Sequence, residues 1–166
     1  MMGAGKTTVG RLLAIRLGRP FVDTDERVEA RAGMGIAKLF QARGEREFRR
    51  LEGLVLVELA KAPPSVIAAG GGLITVPSHA RALQGMARCV LLEASPRVLA
   101  VRVGPGAGSA RPLLLRASRG IEARLAEILK VRRPLYERAA ELAVDVSDLG
   151  PEEAASLVAV ALETLA

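Results

Sequence analysis

Met2-Gly3-Ala4-Gly5-Lys6-Thr7-Thr8, near the start of the chain, contains the Gly-Lys-Thr of a Walker A motif and leads directly into an amphipathic helix pattern. In the full pattern, G-x-x-x-x-G-K-[ST], small residues let backbone N–H groups surround phosphate oxygens. The lysine reaches the outer phosphates, and the hydroxyl that follows it binds Mg²⁺. A glycine-rich turn that only begins a helix is the alternative. Because Gly-Lys-Thr-Thr stands directly before a periodic apolar helix, we predict a nucleotide-binding loop.

The first glycine of that pattern would fall one position before Met1, as would the strand that normally leads into the loop. In a doubly wound fold this strand lies inside the sheet, where its loss would leave unpaired backbone groups at about 1–3 kcal/mol each. We therefore expect the native protein to begin roughly 8–12 residues earlier, with an apolar strand and a glycine.

The composition is that of a globular protein: half of the 166 residues are apolar and 25% are charged. The net charge is +6, but only 2% of residues are aromatic, which leaves little for stacking on bases. The basic residues are scattered among acidic ones, so we expect attraction of small polyanions and no nucleic-acid partner. No signal peptide pattern and no apolar stretch near the ~20 residues of a membrane span is present. We expect a cytoplasmic monomer with no membrane partner.

Short apolar strands alternate with helical patterns along the chain, which predicts an α/β fold. We expect a single three-layer α/β/α domain over residues 1–166, with a mostly parallel sheet of the P-loop NTPase type. Ser78 is predicted to cap a short helix, and Pro134 to kink or end a long one. The predicted helices cover 6–17, 25–31, 36–43, 45–61, 97–101, 121 onward and 152–165, and the predicted strands cover 21–23, 65–69, 88–93 and 142–146.

Residues 103–118 differ from the rest of the chain because their first half is rich in Gly, Pro and Ser. Such a composition cannot hold a helix, so we predict a mobile lid in this segment.

Asp23-Thr24-Asp25 follows a short apolar strand, at the end where open α/β sheets bind their ligands. One carboxylate there can hold Mg²⁺ through water, and a second can take or orient a hydroxyl proton in phosphoryl transfer. The alternative is that Asp25 only caps the next helix. Two aspartates near a phosphate-binding loop favour the functional interpretation.

Three further stretches are weak signals when each is taken alone. Gly44 to Arg50 contains arginines suited to carboxylates, although a solvated helix face would look the same. Gly70-Gly71-Gly72 follows a predicted buried strand, where missing side chains let a ligand approach the backbone. Arg111, in the predicted lid, can reach a transferring phosphate. We group it with a later basic stretch, Arg-Arg-Pro-Leu-Tyr, which begins at Arg132.

In this order the motifs resemble those of the shikimate kinases, over nearly the full length of the chain. Shikimate kinases transfer the γ-phosphate of ATP to the 3-hydroxyl of shikimate, in the route to aromatic amino acids. The matching stretches are Gly3 to Gly10, Phe21 to Asp25, Gly44 to Glu52, Gly70-Gly71-Gly72, Ala110-Arg111-Pro112-Leu113-Leu114 and Arg132 to Tyr136.

The resemblance implies ATP as co-substrate, shikimate as acceptor, Mg²⁺ as cofactor, and a role for each matching residue. Lys6, Asp25 and Arg111 would be catalytic, with Asp25 also holding the shikimate hydroxyls. Thr7 would ligate the metal, and Asp23 would act on it through water. The ATP phosphates would be held by Gly3, Ala4, Gly5, Lys6, Thr7 and Thr8, with Arg111 as the lid arginine. The carboxylate would be held by Arg49 and Arg132, with Gly71 and Gly72 at the ring.

The chain departs from the family near residues 149–151, where an arginine often lies by the adenine and none is present here. Adenine contacts must then come from backbone or from elsewhere. Two alternatives stay open: another small-metabolite P-loop kinase, such as a gluconate-type enzyme, and a non-catalytic nucleotide-binding protein with an incomplete loop.

Overall fold

The structure, a computed structural model, describes residues 1–104 and 119–164. Helices and short strands alternate along these residues. In chain order they are α1 (Lys6–Leu17), β1 (Phe21–Asp23), α2 (Thr24–Ala32), α3 (Ile36–Leu59), β2 (Val66–Ala68), a 3₁₀ turn (Leu73–Thr75), α4 (Pro77–Met86), β3 (Val90–Glu93), α5 (Pro96–Val103), α6 (Ile121–Ala139), β4 (Leu142–Asp145) and α7 (Pro151–Thr164).

The strands pair in parallel, as the alternation of strands and helices predicts. β1 pairs with β2, with Val22 opposite Ile67, and β3 pairs with β4, with Leu91 opposite Ala143. Within the described residues these are separate two-stranded sheets. The three-layer α/β/α fold predicted from the sequence is confirmed. A strand before Met1 stays a prediction.

Helix α1 begins and ends at glycines with left-handed backbone. Gly5 precedes it with φ 81°, and Gly18 follows it with φ 60°. A side chain at Gly10 would collide with Phe21, because a Cβ there would lie 2.7 Å from the ring. The helix therefore lies close to β1, and its other side packs against α7.

Helix α3 is interrupted at Gly44, whose φ of 76° and ψ of 174° are not helical. The two predicted helices that meet at this glycine are confirmed as two arms of one kinked element. The second arm carries buried Phe48, Leu51 and Val55 into a core shared with α2. The kink matters for the site, because Glu45 follows it directly and Arg49 lies about one turn further along the same arm.

The predicted cap of α4 is wrong, and of the two effects predicted for Pro134, ending the helix is excluded. Val76, not Ser78, precedes the first residue of α4, and Pro77 occupies the first turn. Proline is favoured there because the first helical N–H groups have no intrahelical acceptor anyway. Pro134 does not end α6, which continues to Ala139 with Tyr136 buried beyond the proline. Packing on both sides of Pro134 outweighs its missing N–H in this helix.

The main core is built from α1, β3, α5, α6, β4 and α7, and its fully buried side chains include Leu99 and Leu125. A smaller cluster of Leu56, Leu73 and Leu83 joins α3, the 3₁₀ turn and α4. The carboxyl ends of β1 and β2 lie near the start of α1. Among the described helices, none is long and apolar enough to cross a membrane.

Candidate active site

The loop before α1 has the backbone of a phosphate-binding loop. Gly3 and Gly5 have φ values of 76° and 81°, a backbone conformation that residues with a Cβ rarely adopt. Gly3 also has no room for a side chain, since a Cβ there would lie 2.7 Å from the Leu99 carbonyl oxygen. Lys6 Nζ donates a hydrogen bond to the Met1 carbonyl at 2.8 Å. The loop thus presents the first N–H groups of α1 to an anion, next to the lysine.

A short chain of hydrogen bonds connects this loop to the end of β1. Thr7 Oγ1 donates to Asp23 Oδ2 at 2.8 Å, and Asp23 Oδ1 accepts from the Asp25 backbone N–H at 2.9 Å. Asp23 is therefore the residue that caps α2. The alternative prediction, that Asp25 only caps α2, is therefore wrong. The Asp25 carboxylate does not make the capping hydrogen bond.

The Asp25 carboxylate lies against the glycine loop that follows β2, which consists of Gly70, Gly71 and Gly72. A Cβ on Gly70 would lie only 2.4 Å from Asp25 Oδ1. The Gly70 N–H donates to the buried Thr24 hydroxyl at 2.8 Å, which fixes the loop beside α2. Burial and then the nearby Asp23 carboxylate raise the pKa of Asp25, whereas Lys6 and Arg49 act in the opposite direction.

Arg49 lies at the other end of the glycine loop. A Cβ on Gly72 would lie 2.9 Å from both terminal nitrogens of Arg49. The guanidinium donates through Nη1 to Glu52 at 2.7 Å and through Nη2 to Glu45 at 2.9 Å. Its side chain is 17% exposed and that of Glu52 is 1% exposed. Burial raises the pKa of Glu52, although Arg49 favours its charged form.

The middle of the glycine loop is held from α6. Arg132 Nη1 donates to the Gly71 carbonyl at 3.1 Å, and the Tyr136 hydroxyl donates to the same oxygen at 2.6 Å. Tyr136 is buried, and burial raises the pKa of its hydroxyl. Asp25, Arg49 and Arg132 thus come from three different helices and meet one loop of three glycines.

A cleft of about 520 Å³ runs along the phosphate-binding loop. Residues 2–9 line one part, Asp23, Asp25 and residues 68–71 line another, and Arg102 with residues 149–151 lines the far end. Arg102 Nη2 donates to the Val146 carbonyl at 2.7 Å and to the Ser147 carbonyl at 3.2 Å, which ties α5 to the chain after β4. The phosphate-binding loop, Asp25 and Arg102 thus line one cleft together.

The structure brings most of the sequence-predicted residues together. Some of them line the cleft, three lie beside it, and Arg111 is not among the described residues. Gly72 belongs to the glycine loop, and Arg49 and Arg132 lie against that loop. These three are not among the described residues that line the cleft itself. Arg111 and most of the predicted lid lie outside the described residues. Of the predicted lid, Val103 ends α5 and Gly104 follows it with φ 76°.

Four residues of this region received no individual role from the sequence: Gly70, Glu52, Tyr136 and Arg102. Gly70 belongs to the glycine triplet and Tyr136 to the Arg-Arg-Pro-Leu-Tyr stretch. Both motifs were recognised from the sequence, but the contacts of these two residues were not predicted. Arg102 lies 47 residues from Leu149 in the chain, yet its guanidinium is 3.4 Å from the Leu149 carbonyl. A cation thus lies near residues 149–151 after all.

Comparison with known proteins decides which family this site belongs to. The family model described as shikimate kinase matches residues 2–163. The chain belongs to the shikimate kinase family. A shikimate kinase of Thermobifida fusca is 46% identical over 157 residues, covering 95% of this chain and 88% of that protein. One of Symbiobacterium thermophilum is 43% identical over 144 residues, covering 87% of this chain and 82% of that protein.

A solved structure agrees with the sequence relatives. The shikimate kinase from Acinetobacter baumannii in complex with shikimate superposes with a TM-score of 0.92 at 34% identity, covering 99% of this chain and 89% of that one. The chain is accordingly an ATP-dependent kinase that phosphorylates shikimate. The gluconate-type and non-catalytic alternatives are not supported.

Proposed function

We propose an assignment of the residues that carry out the shikimate kinase reaction in this chain. One observation carries it: Asp25, Arg49 and Arg132 converge on a single loop of glycines, and that loop lines the same cleft as Lys6. A hydroxyl-orienting carboxylate and two carboxylate-binding cations are the groups that a polyhydroxylated acid requires. An acceptor held by these groups, beside a phosphate-binding loop, would lie within reach of a transferred phosphoryl group.

The nucleotide occupies the other part of the cleft. The backbone N–H groups of the loop from Gly3 to Thr8 hold the phosphates, and Lys6 leaves the Met1 carbonyl to bind the outer ones. The base lies toward Arg102 and residues 149–151, where the guanidinium already orders the carbonyl groups of the chain after β4. Arginine side chains stack on planar rings, so Arg102 can contact the base directly.

The donor set beside the loop fits a magnesium ion. A threonine hydroxyl and a carboxylate, joined by the 2.8 Å hydrogen bond between Thr7 and Asp23, are the hard oxygen groups that Mg²⁺ prefers. Thr7 would bind the ion directly and Asp23 through water. When bound, Mg²⁺ neutralises charge on the β- and γ-phosphates.

Asp25 orients the acceptor hydroxyl. Its carboxylate accepts the hydrogen bond of the 3-hydroxyl, so the oxygen lone pair faces the γ-phosphorus. As the new O–P bond forms and the bond to ADP breaks, the hydroxyl proton passes to Asp25. Burial and the neighbouring Asp23 raise the pKa of Asp25, which favours proton acceptance late in the reaction.

Arg49 and Arg132 bind the substrate carboxylate. Both already contact the glycine loop, and Arg49 is held in place by Glu45 and Glu52 before substrate arrives. Prior positioning lowers the entropy lost on binding. Arg111, as the lid arginine on ATP, stays a prediction, and so do a monomeric state and a cytoplasmic location.

The assignment is tested by separating binding from turnover in a coupled assay with shikimate, ATP and Mg²⁺. Arg49→Ala and Arg132→Ala should raise the KM for shikimate, each by about 1.5–3 kcal/mol, or roughly 10- to 150-fold. Asp25→Asn should chiefly lower kcat. Lys6→Ala should lower kcat by orders of magnitude with the fold intact.

Matched controls lie next to the tested arginines. Arg46 is exposed on the same arm of α3, and Arg133 is exposed on α6, so Arg46→Ala and Arg133→Ala should leave the KM for shikimate unchanged. If calorimetry shows unchanged shikimate binding in both Arg49→Ala and Arg132→Ala, the carboxylate site is misplaced. A better acceptor than shikimate, such as gluconate, would contradict the substrate.

A further inference from the structure

Behind Arg49 lies a histidine that the reaction does not explain. His79, on α4, is the only histidine of the chain, and it is buried against α3. Within the described residues, its Nδ1 is the one buried side-chain nitrogen or oxygen without a hydrogen-bond partner. An unpaired polar atom in a buried place costs about 1–3 kcal/mol, so a partner in another state of the protein is expected.

The buried carboxylate of Glu52 lies close to this nitrogen. His79 Nδ1 lies 3.9 Å from Glu52 Oε2, beyond hydrogen-bond distance, and the same Oε2 accepts from Arg49 Nη1 at 2.7 Å. A Cβ on Gly53 would lie 3.0 Å from His79 Nε2, so this glycine leaves room for the ring beside α3. One carboxylate oxygen thus has Arg49 as its present partner and His79 within a small movement.

Substrate binding changes the hydrogen bonding of the Glu52 carboxylate. In the proposed site, Arg49 turns part of its guanidinium toward the substrate carboxylate, and this weakens its hydrogen bond to Glu52. A carboxylate that is 1% exposed cannot take a water partner readily, so its charge would be left uncompensated. A second donor on the protein side removes that penalty.

We propose that His79 is a positioning residue for the substrate carboxylate. When Arg49 turns to the substrate, the neutral His79 ring donates its Nδ1–H to Glu52 Oε2 and releases Arg49 from that carboxylate. No bond is broken and no proton changes residue; one hydrogen bond replaces another. The inference rests on the proposed role of Arg49.

The charged groups around His79 are consistent with a neutral imidazole ring. Arg49 and Glu52 on α3 are the charged side chains near His79, and Asp25 acts on Glu52 from α2. Burial, followed by the Arg49 charge, lowers the pKa of His79. The ring therefore works as a neutral donor at physiological pH.

Kinetics with paired variants test the exchange. His79→Leu removes the donor, and the KM for shikimate should rise about threefold to tenfold, as expected for the net loss of one ordinary hydrogen bond, while kcat and the KM for ATP stay unchanged. His79→Asn places an amide N–H near the position of Nδ1 and should restore the wild-type KM. Arg81→Ala, an exposed change on the same helix, is the control.

The partner is identified with Glu52→Gln. This change removes the buried charge that needs a second donor, so adding His79→Leu to it should have little further effect on the KM. A His79→Leu effect of equal size with and without Glu52→Gln would overturn the proposal. So would a wild-type KM in His79→Leu.

A measurement on the unmodified protein avoids any folding defect of the variants. Because there is a single histidine, its ring nitrogens give one set of ¹⁵N signals. Saturating shikimate should shift the ring to the Nδ1–H tautomer with an added hydrogen bond, and unchanged ring signals would overturn the proposal. If Arg49→Ala does not alter shikimate binding, the proposed site fails. If it does and the His79 signals stay fixed, only this inference fails.

Discussion

The carboxylate of Asp25 occupies the space that a side chain on Gly70 would take: a Cβ there would lie 2.4 Å from Asp25 Oδ1. The absent side chain at Gly70 is thus a condition for the position of the proposed hydroxyl-orienting group. Gly70 has no left-handed backbone that would by itself require glycine. Its role is one of space.

Gly70→Ala should therefore lower kcat by displacing Asp25. A misplacement of about 1 Å can cost on the order of 10²-fold in rate. The control is Gly85→Ala on α4, where a Cβ would meet nothing within 4 Å. This change should keep kcat and raise stability by about 0.5–1 kcal/mol, the helical gain of Ala over Gly. Wild-type kcat in Gly70→Ala would show that Asp25 is not positioned by this contact.

Gly72→Ala should act on binding and not on turnover. A Cβ at this position would lie 2.9 Å from the two terminal nitrogens of Arg49, which form the flexible end of a long side chain. Arg49 can move away at little cost in stability, but it then leaves its position beside the loop. We expect a higher KM for shikimate with kcat nearly unchanged. A thermal melt close to that of wild type would separate this effect from unfolding.

The elements that local patterns control were predictable from the sequence. The start of α1 after Gly5, the strand that ends at Asp23 and the break at Gly44 each depend on nearby glycines or apolar residues, and the structure confirms them. The ends of α4 and α6 were not predictable in this way. The first depends on a competition between Pro77 and Ser78, and the second on burial of Tyr136 beyond Pro134.

The candidate site was predictable as a set of residue types but not as a set of contacts. Asp25 and Gly70 are 45 residues apart, and the separation from Gly71 to Tyr136 is 65 residues. No local pattern reports such a pairing. The cap of α2 shows the same limit: both Asp23 and Asp25 have the right side chain, and only the backbone conformation of residue 23 assigns the cap to it. His79 gave no signal because one histidine in a helix is usually a core residue.

Thr7→Val should weaken the binding of Mg²⁺ at the proposed metal site. The change keeps the shape of the side chain but removes the hydroxyl that donates to Asp23 Oδ2. The proposed Mg²⁺ site then loses one oxygen ligand, so half-maximal activity should need a higher Mg²⁺ concentration and kcat should fall.

Thr7→Ser keeps the hydroxyl and should behave nearly like wild type. Thr8→Val, at the exposed neighbouring position, removes a hydroxyl that makes no described side-chain hydrogen bond, and it reports the cost of losing a hydroxyl from the loop itself. Identical Mg²⁺ titrations for Thr7→Val and wild type would exclude Thr7 as a metal ligand.

Stability should depend on pH through His79. Burial and then the Arg49 charge lower the pKa of this ring in the folded state. In the unfolded chain the ring takes up a proton near its ordinary pKa of about 6.5. Between these two values the unfolded state binds more protons, so the free energy of unfolding falls as the pH drops through this window. At neutral pH the contribution is fully present.

Asp25 and Glu52 complicate a single stability curve, because their pKa values are raised and the folded state holds their protons more tightly. Their effect has the opposite sign: stability is present at low pH and is lost as the pH rises through their folded pKa values. The difference between wild type and His79→Asn isolates the histidine, since the asparagine does not titrate and both carboxyl groups remain. Urea unfolding at several pH values below about 7 should give a steeper loss of stability in wild type than in His79→Asn. Parallel curves would mean that the ring is as easily protonated when folded as when unfolded, and that it does not lie in the buried, cation-facing position described.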